Sequence, residues 1–149
     1  MVETVPAVVS LSLESKRASS PKQTIVGPAR LLREASDARR AGDAERAMGL
    51  YRKLQEQFAR SPEAVLSAVP MGRLLLDRRR PQAALGQFDA YLGSSRGGVL
   101  IPEALYGRGR ALASLGDRKE ERQTWVRLLV DFPDSTYGPT ARRRLAELR

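Results

Sequence analysis

The chain contains no cysteine and no histidine. Together these absences exclude disulfide bridges, thiolate zinc sites, cysteine nucleophiles and imidazole acid–base chemistry. They leave the compartment open, because a cysteine-free chain suits the cytosol and an oxidising periplasm equally. Aromatic residues make up only 5%, and Lys16, Lys22, Lys53 and Lys119 are the only lysines among 26 basic residues. No apolar run approaches the roughly 20 residues needed to span a bilayer. The opening residues lack a basic stretch followed by an apolar one, so they do not read as a signal peptide. If the protein is exported, this chain is then a fragment that begins downstream of a signal or anchor, as part of a membrane-anchored longer protein. There is no glycine-rich phosphate loop, no metal-ligand spacing and no nucleophile–base pair. No cofactor, metal or catalytic residue is therefore assigned, and the chain is not expected to be an enzyme.

What is present favours helices. Hydrophobic residues make up 42% of the 149, and most are Leu and Ala, which prefer helix to strand. The length suits one domain with a continuous core. The formal net charge of +9 is carried almost wholly by arginine. Such a skew reads first as the composition of a GC-rich genome, and second as attraction to an acidic partner or nucleic acid.

Residues 1–27 form a Pro- and Ser-containing arm or linker, with Pro6, Pro21 and a terminal Gly27. Within it, Val8 to Leu13 alternates like a short strand. From Pro28 the pattern becomes helical. Leu31, Leu32, Ala35, Ala38 and Ala41 share helical spacing until Gly42-Asp43 breaks it, and Asp43 is placed to cap a second helix bearing Ala47, Tyr51, Leu54 and Phe58. Ser61-Pro62-Glu63 is a further helix start.

Self-comparison reveals a repeat. Tyr51, Phe88 and Trp125 are each 37 residues apart, and so are Ala35, Gly72 and Gly109. The turn position recurs as Gly42, Arg79 and Gly116, and the small residue at Ala47 and Ala84 becomes Glu121 in the third copy. A small residue where two helices cross, a turn that leaves the first helix and an aromatic that fills the crossing make a helical hairpin. Such hairpins stack because none buries its apolar face alone.

These residues resemble a tetratricopeptide repeat. The third copy matches at Leu105, Gly109, Leu112, Gly116-Asp117, Trp125 and Pro133; the first matches at Leu31, Ala35, Gly42-Asp43, Ala47 and Tyr51. The middle copy departs at Arg79-Arg80-Pro81, and Pro70 is expected to kink or shorten its first helix. The resemblance implies an all-α, right-handed α-α superhelix of three hairpins, at about 28–61, 62–99 and 101–135, closed by a capping helix at 138–148, the whole repeat domain spanning 28–149. Arg142, Arg143 and Arg144 are expected to point largely outward from that cap.

A narrower resemblance lies in Asp131-Phe132-Pro133-Asp134-Ser135-Thr136-Tyr137-Gly138-Pro139. It is similar to the corner joining hairpins in bacterial envelope repeat proteins. These include the lipoprotein of the outer-membrane barrel assembly machinery, the periplasmic partner of the Tol–Pal system and the periplasmic region of FecR-like sigma regulators. It implies a periplasmic or envelope scaffold; a cytoplasmic adaptor of the same fold is the alternative.

In that family the first helix of each hairpin lines a concave groove. Carried onto this chain by spacing, the groove positions are Leu32, Ser36, Arg39 and Arg40, then Val69, Arg73, Leu76 and Asp77, then Glu103, Tyr106, Arg110 and Ser114. Arg40, Arg73 and Arg110 are read as a guanidinium ladder suited to carboxylates. The expected partner is a protein or peptide with acidic groups, bound through Arg39, Arg40, Arg73, Asp77, Tyr106, Arg110 and Ser114. The competing reading pairs the arginines with Glu34, Asp37 or Asp77, leaving them as a solvated surface. Tyr106 is read either as a groove anchor or as packing against the next repeat. A nucleic-acid module is a weaker alternative, because no aromatics interleave Arg78-Arg79-Arg80 or Arg142-Arg143-Arg144. An open N-terminal end also allows two copies to pair.

Overall fold

The computed structural model describes residues 26–94 and 98–149. The arm at 1–25, including the alternating Val8 to Leu13 segment, lies outside the described residues. Seven helices follow in order, and the described residues contain no strand: α1 (Pro28–Arg40), α2 (Ala44–Gln57), α3 (Pro62–Asp77), α4 (Pro81–Ser94), α5 (Ile101–Leu115), α6 (Arg118–Asp131) and α7 (Gly138–Glu147). Each helix packs on the next, and α3 also touches both α1 and α5. The odd-numbered helices therefore form one layer and the even-numbered helices the other. This is the all-α superhelix expected from the repeat.

Local chemistry sets the helix ends. Asp43 Oδ1 accepts from Arg46 N at 3.1 Å, Ser61 Oγ from Ala64 N at 3.0 Å and Asp117 Oδ1 from Glu120 N at 3.1 Å. Each satisfies an amide that the first turn leaves without an intrahelical partner. The turn position of the repeat is left-handed in all three hairpins: Gly42 has φ 80°, Gly116 φ 75°, and Arg79 between them φ 56°. The fold thus imposes on an arginine a conformation that costs a residue with a Cβ about 1–2 kcal/mol.

The three periodic aromatics are core. Tyr51 and Phe88 are fully buried and Trp125 nearly so. The crossings at Phe88 and Trp125 demand the absence of a side chain, whereas the repeat of Tyr51 carries Ala35 at the equivalent position. A Cβ on Gly72 would fall 2.7 Å from the Phe88 ring, one on Gly107 2.2 Å from the same ring, and one on Gly109 2.4 Å from Trp125.

Two expectations are narrowed. Pro70, expected to kink or shorten its helix, does not shorten it; α3 runs through it and, at 16 residues, is the longest of the seven. Pro70 cannot donate to the Leu66 carbonyl, and Leu66 lies on the open inner face, 38% exposed. The arginines of α7 do not all point outward. Arg144 turns in, its Nε donating to Glu121 Oε1 at 2.8 Å.

Candidate functional site

The layer of odd-numbered helices presents two adjoining clefts. The first, about 290 Å³, is lined by Leu32, Ser36 and Arg39 of α1, Leu66, Val69, Pro70 and Arg73 of α3, and Leu100 and Glu103 around the start of α5. The second, about 260 Å³, lies between α5 and α7 and is lined by Tyr106, Arg110 and Ala113, Trp125, and Thr140, Arg143 and Arg144.

The repeat explains which residues reach these clefts. Ser36, Arg73 and Arg110 occupy one position of the 37-residue unit, as do Leu32, Val69 and Tyr106, and all six line a cleft. Counted on by the same interval, Glu103 leads to Thr140 and Tyr106 to Arg143, so α7 presents the same face as a first helix of a hairpin. Arg40, Asp77 and Ser114 share a different position, and none lines either cleft. All three are exposed. Arg40 Nη2 donates to Asp37 Oδ1 at 2.6 Å, and Ser114 Oγ donates to the Arg110 carbonyl at 3.1 Å. On the α1 side the guanidinium in the groove therefore belongs to Arg39, not Arg40.

Arg39 Nε is shielded from solvent and meets no acceptor among the described residues. It stands beside an apolar wall of Leu32, Leu66 and Val69. Arg73 is already engaged: its Nη1 lies 2.8 Å from Glu103 Oε1, across from α3 to α5. That hydrogen bond raises the Arg73 pKa against the opposing effect of burial. The Arg73 partner is thus Glu103 and neither Asp37 nor Asp77.

Tyr106 packs onward and lines the second cleft at once. Its ring stacks on Tyr137 with centroids 4.4 Å apart and planes 16° from parallel, and it tilts against Trp125 at 6.1 Å. The Arg110 guanidinium sits over it, 5.7 Å from the centroid. Burial pushes the Tyr137 hydroxyl pKa up, as does the neighbouring Glu103 carboxylate.

Sequence reasoning missed Glu121. It stands where the other repeats have a small alanine, yet it is only 1% exposed. Trp125 Nε1 donates to its Oε1 at 3.0 Å, and Arg144 binds it from α7. The break in the repeat at position 121, set against a tryptophan four residues on, was the available signal. A broader cleft of about 490 Å³ opens beside the groove, between Val99, Pro102 and the corner at Asp131–Tyr137, and shares Glu103 with it. Among the described residues no cluster of acidic groups is arranged to hold a metal ion, and no helix is long and apolar enough to cross a membrane.

The helices stack as an all-α helical-hairpin repeat with a lined inner face. Residues 69–136, from within α3 to the corner before α7, match the tetratricopeptide repeat family model. Among solved structures, the chain is similar to the second TPR domain of the human RPAP3 protein, determined by NMR in complex with the HSP70 peptide SGPTIEEVD. The TM-score is 0.66 at 18% sequence identity, covering 82% of this chain and 98% of that one. A search of curated proteins matched none.

Proposed function

We propose that the protein is an interaction scaffold whose inner face binds an acidic peptide segment of a partner protein. The observation that carries this reading is Arg39, which lines a cleft with an apolar wall and whose Nε is buried without a partner among the described residues. A buried donor without an acceptor costs roughly 1–3 kcal/mol, so a carboxylate that draws the guanidinium out into the cleft is favoured by giving that donor an acceptor. Leu32, Leu66 and Val69 beside it offer apolar contact to the side chain flanking that carboxylate. The similarity to a domain whose peptide, SGPTIEEVD, carries three acidic residues supports the same ligand class.

The test is fluorescence anisotropy with that nonapeptide as a probe, its C-terminal carboxylate free. Saturable binding that weakens about 10-fold or more when Arg39 becomes Glu is the expected result. Equal binding by Arg39→Glu, with the helical circular-dichroism signal intact, would reject the site.

The corner at Asp131–Pro139 supports a setting in a bacterial envelope assembly, and we propose that setting for the scaffold. Fractionation of cells expressing the full-length gene product tests it: recovery with periplasm or membrane agrees, and recovery in the cytosol alone assigns a cytoplasmic adaptor instead.

A further inference from the structure

The cleft between α5 and α7 is charged in one direction only. Arg110, Arg143 and Arg144 line it, and no carboxylate does. Arg144 is committed to the buried Glu121, with Nε and Nη2 at 2.8 and 2.7 Å from Oε1. Trp125 Nε1 is spent on the same carboxylate. Arg110 and Arg143 have no acidic partner among the described residues. The Arg110 guanidinium carbon lies 5.7 Å from the Tyr106 ring centroid, and Tyr106 is itself fixed by the stack on Tyr137. A cation–π contact of this kind involves no carboxylate, so it leaves the charge of Arg110 uncompensated.

We propose that this cleft is a subsite for a phosphomonoester dianion carried on the bound peptide. The assignment rests on the reading that the inner face binds a peptide, and adds to it which group is read at the C-terminal end. Two uncommitted guanidiniums face one ligand group here. In the adjoining cleft Arg39 and Arg73 are offset by Glu103, which leaves a single positive charge, suited to a carboxylate. A phosphoryl group brings close to two negative charges and three strong acceptor oxygens. Arg110 and Arg143 supply forked donors from two helices, and the Thr140 hydroxyl supplies a third. Neither arginine surrenders an existing ion pair to bind it.

Trp125 is the only tryptophan in the chain and lines this cleft, so its emission reports occupancy. The full chain is titrated at fixed ionic strength with three probes: N-acetyl-phosphoserine amide, N-acetyl-glutamate amide and inorganic phosphate. The expected result is a saturable emission change with phosphoserine amide, with the glutamate probe at least about 5-fold weaker. Arg110→Gln combined with Arg143→Gln lowers phosphoserine affinity about 10-fold or more at an unchanged melting temperature. No saturable change, equal affinity in the double variant, or equal binding of the glutamate probe would overturn the proposal. Inorganic phosphate binding as tightly as phosphoserine amide would also overturn it, reassigning the cleft to the free ion. An Arg39→Glu, Arg73→Glu variant separates the two readings: it loses the acidic peptide and keeps the phosphoserine response.

Discussion

Arg73 on α3 and Glu103 on α5 meet across the inner face at 2.8 Å, so the central guanidinium of the groove already holds a carboxylate of its own chain. The pair is partly exposed, Arg73 at 55% and Glu103 at 23%, and it therefore adds little to stability. Its effect falls on binding, because an incoming acidic group must displace Glu103 to reach Arg73. Glu103→Gln is expected to raise affinity for an acidic peptide about 3–10-fold, while the melting temperature moves by about a degree or less. Anisotropy titration and thermal melts measure both.

Tyr51 is fully buried, and its hydroxyl meets no acceptor among the described residues. Phe88, one repeat further on, fills the equivalent crossing without a hydroxyl. Tyr51→Phe is expected to leave stability unchanged or raise it by about 1 kcal/mol, since the buried unsatisfied group is removed at little change of volume. Urea denaturation followed at Trp125 measures it.

The middle turn carries Arg79 at φ 56° where its sister turns carry glycine, and Arg80 where they carry the capping Asp43 and Asp117. Replacing the pair as Arg79→Gly and Arg80→Asp removes the steric cost of the left-handed arginine and adds a cap to α4. The expected gain is about 1–2 kcal/mol, partly offset by the greater freedom of glycine in the unfolded chain. Differential scanning calorimetry should show the melting temperature rising by about 2–6 °C.

Glu121 and Arg144 are unequal partners. The carboxylate side chain is 2% exposed and the guanidinium 31%. Removing the arginine leaves a buried charge with Trp125 Nε1 as its one remaining donor among the described residues, whereas removing the carboxylate leaves a guanidinium that water and Glu147 still reach. Arg144→Ala is therefore expected to cost more than Glu121→Gln, about 2–4 against about 1–2 kcal/mol. A double-mutant cycle by urea denaturation tests the order; the reverse order would contradict it.

The hairpins were legible because packing writes itself periodically. An aromatic opposite a small residue at each crossing leaves a mark every 37 residues, and Phe88 against Gly72 and Gly107 shows why those positions tolerate nothing larger. The turn at Arg79 was legible for the same reason, although its residue type disagrees with its backbone. The effect of Pro70 on helix length was misread because intrinsic propensity ignores tertiary packing, which carries α3 through it. Site residues were less legible. One position of the unit separates Arg39 from Arg40, and that step of about 100° decides between groove and outer surface. Glu121 and Arg144 pair once between two helices; the break in the repeat marks Glu121, but repetition cannot name its partner because the other hairpins lack the pair.

Mapping a bound acidic peptide by backbone amide NMR tests the central claim most directly. The full chain, labelled with nitrogen-15, is titrated with a glutamate-bearing nonapeptide that has a free C-terminal carboxylate. The shifts predicted to move are those of the inner face: Ser36 and Arg39 of α1, Val69 and Arg73 of α3, and Glu103 and Tyr106 of α5. Shifts confined to α2, α4 and α6, or no saturable shift at all, would contradict an inner-face peptide site.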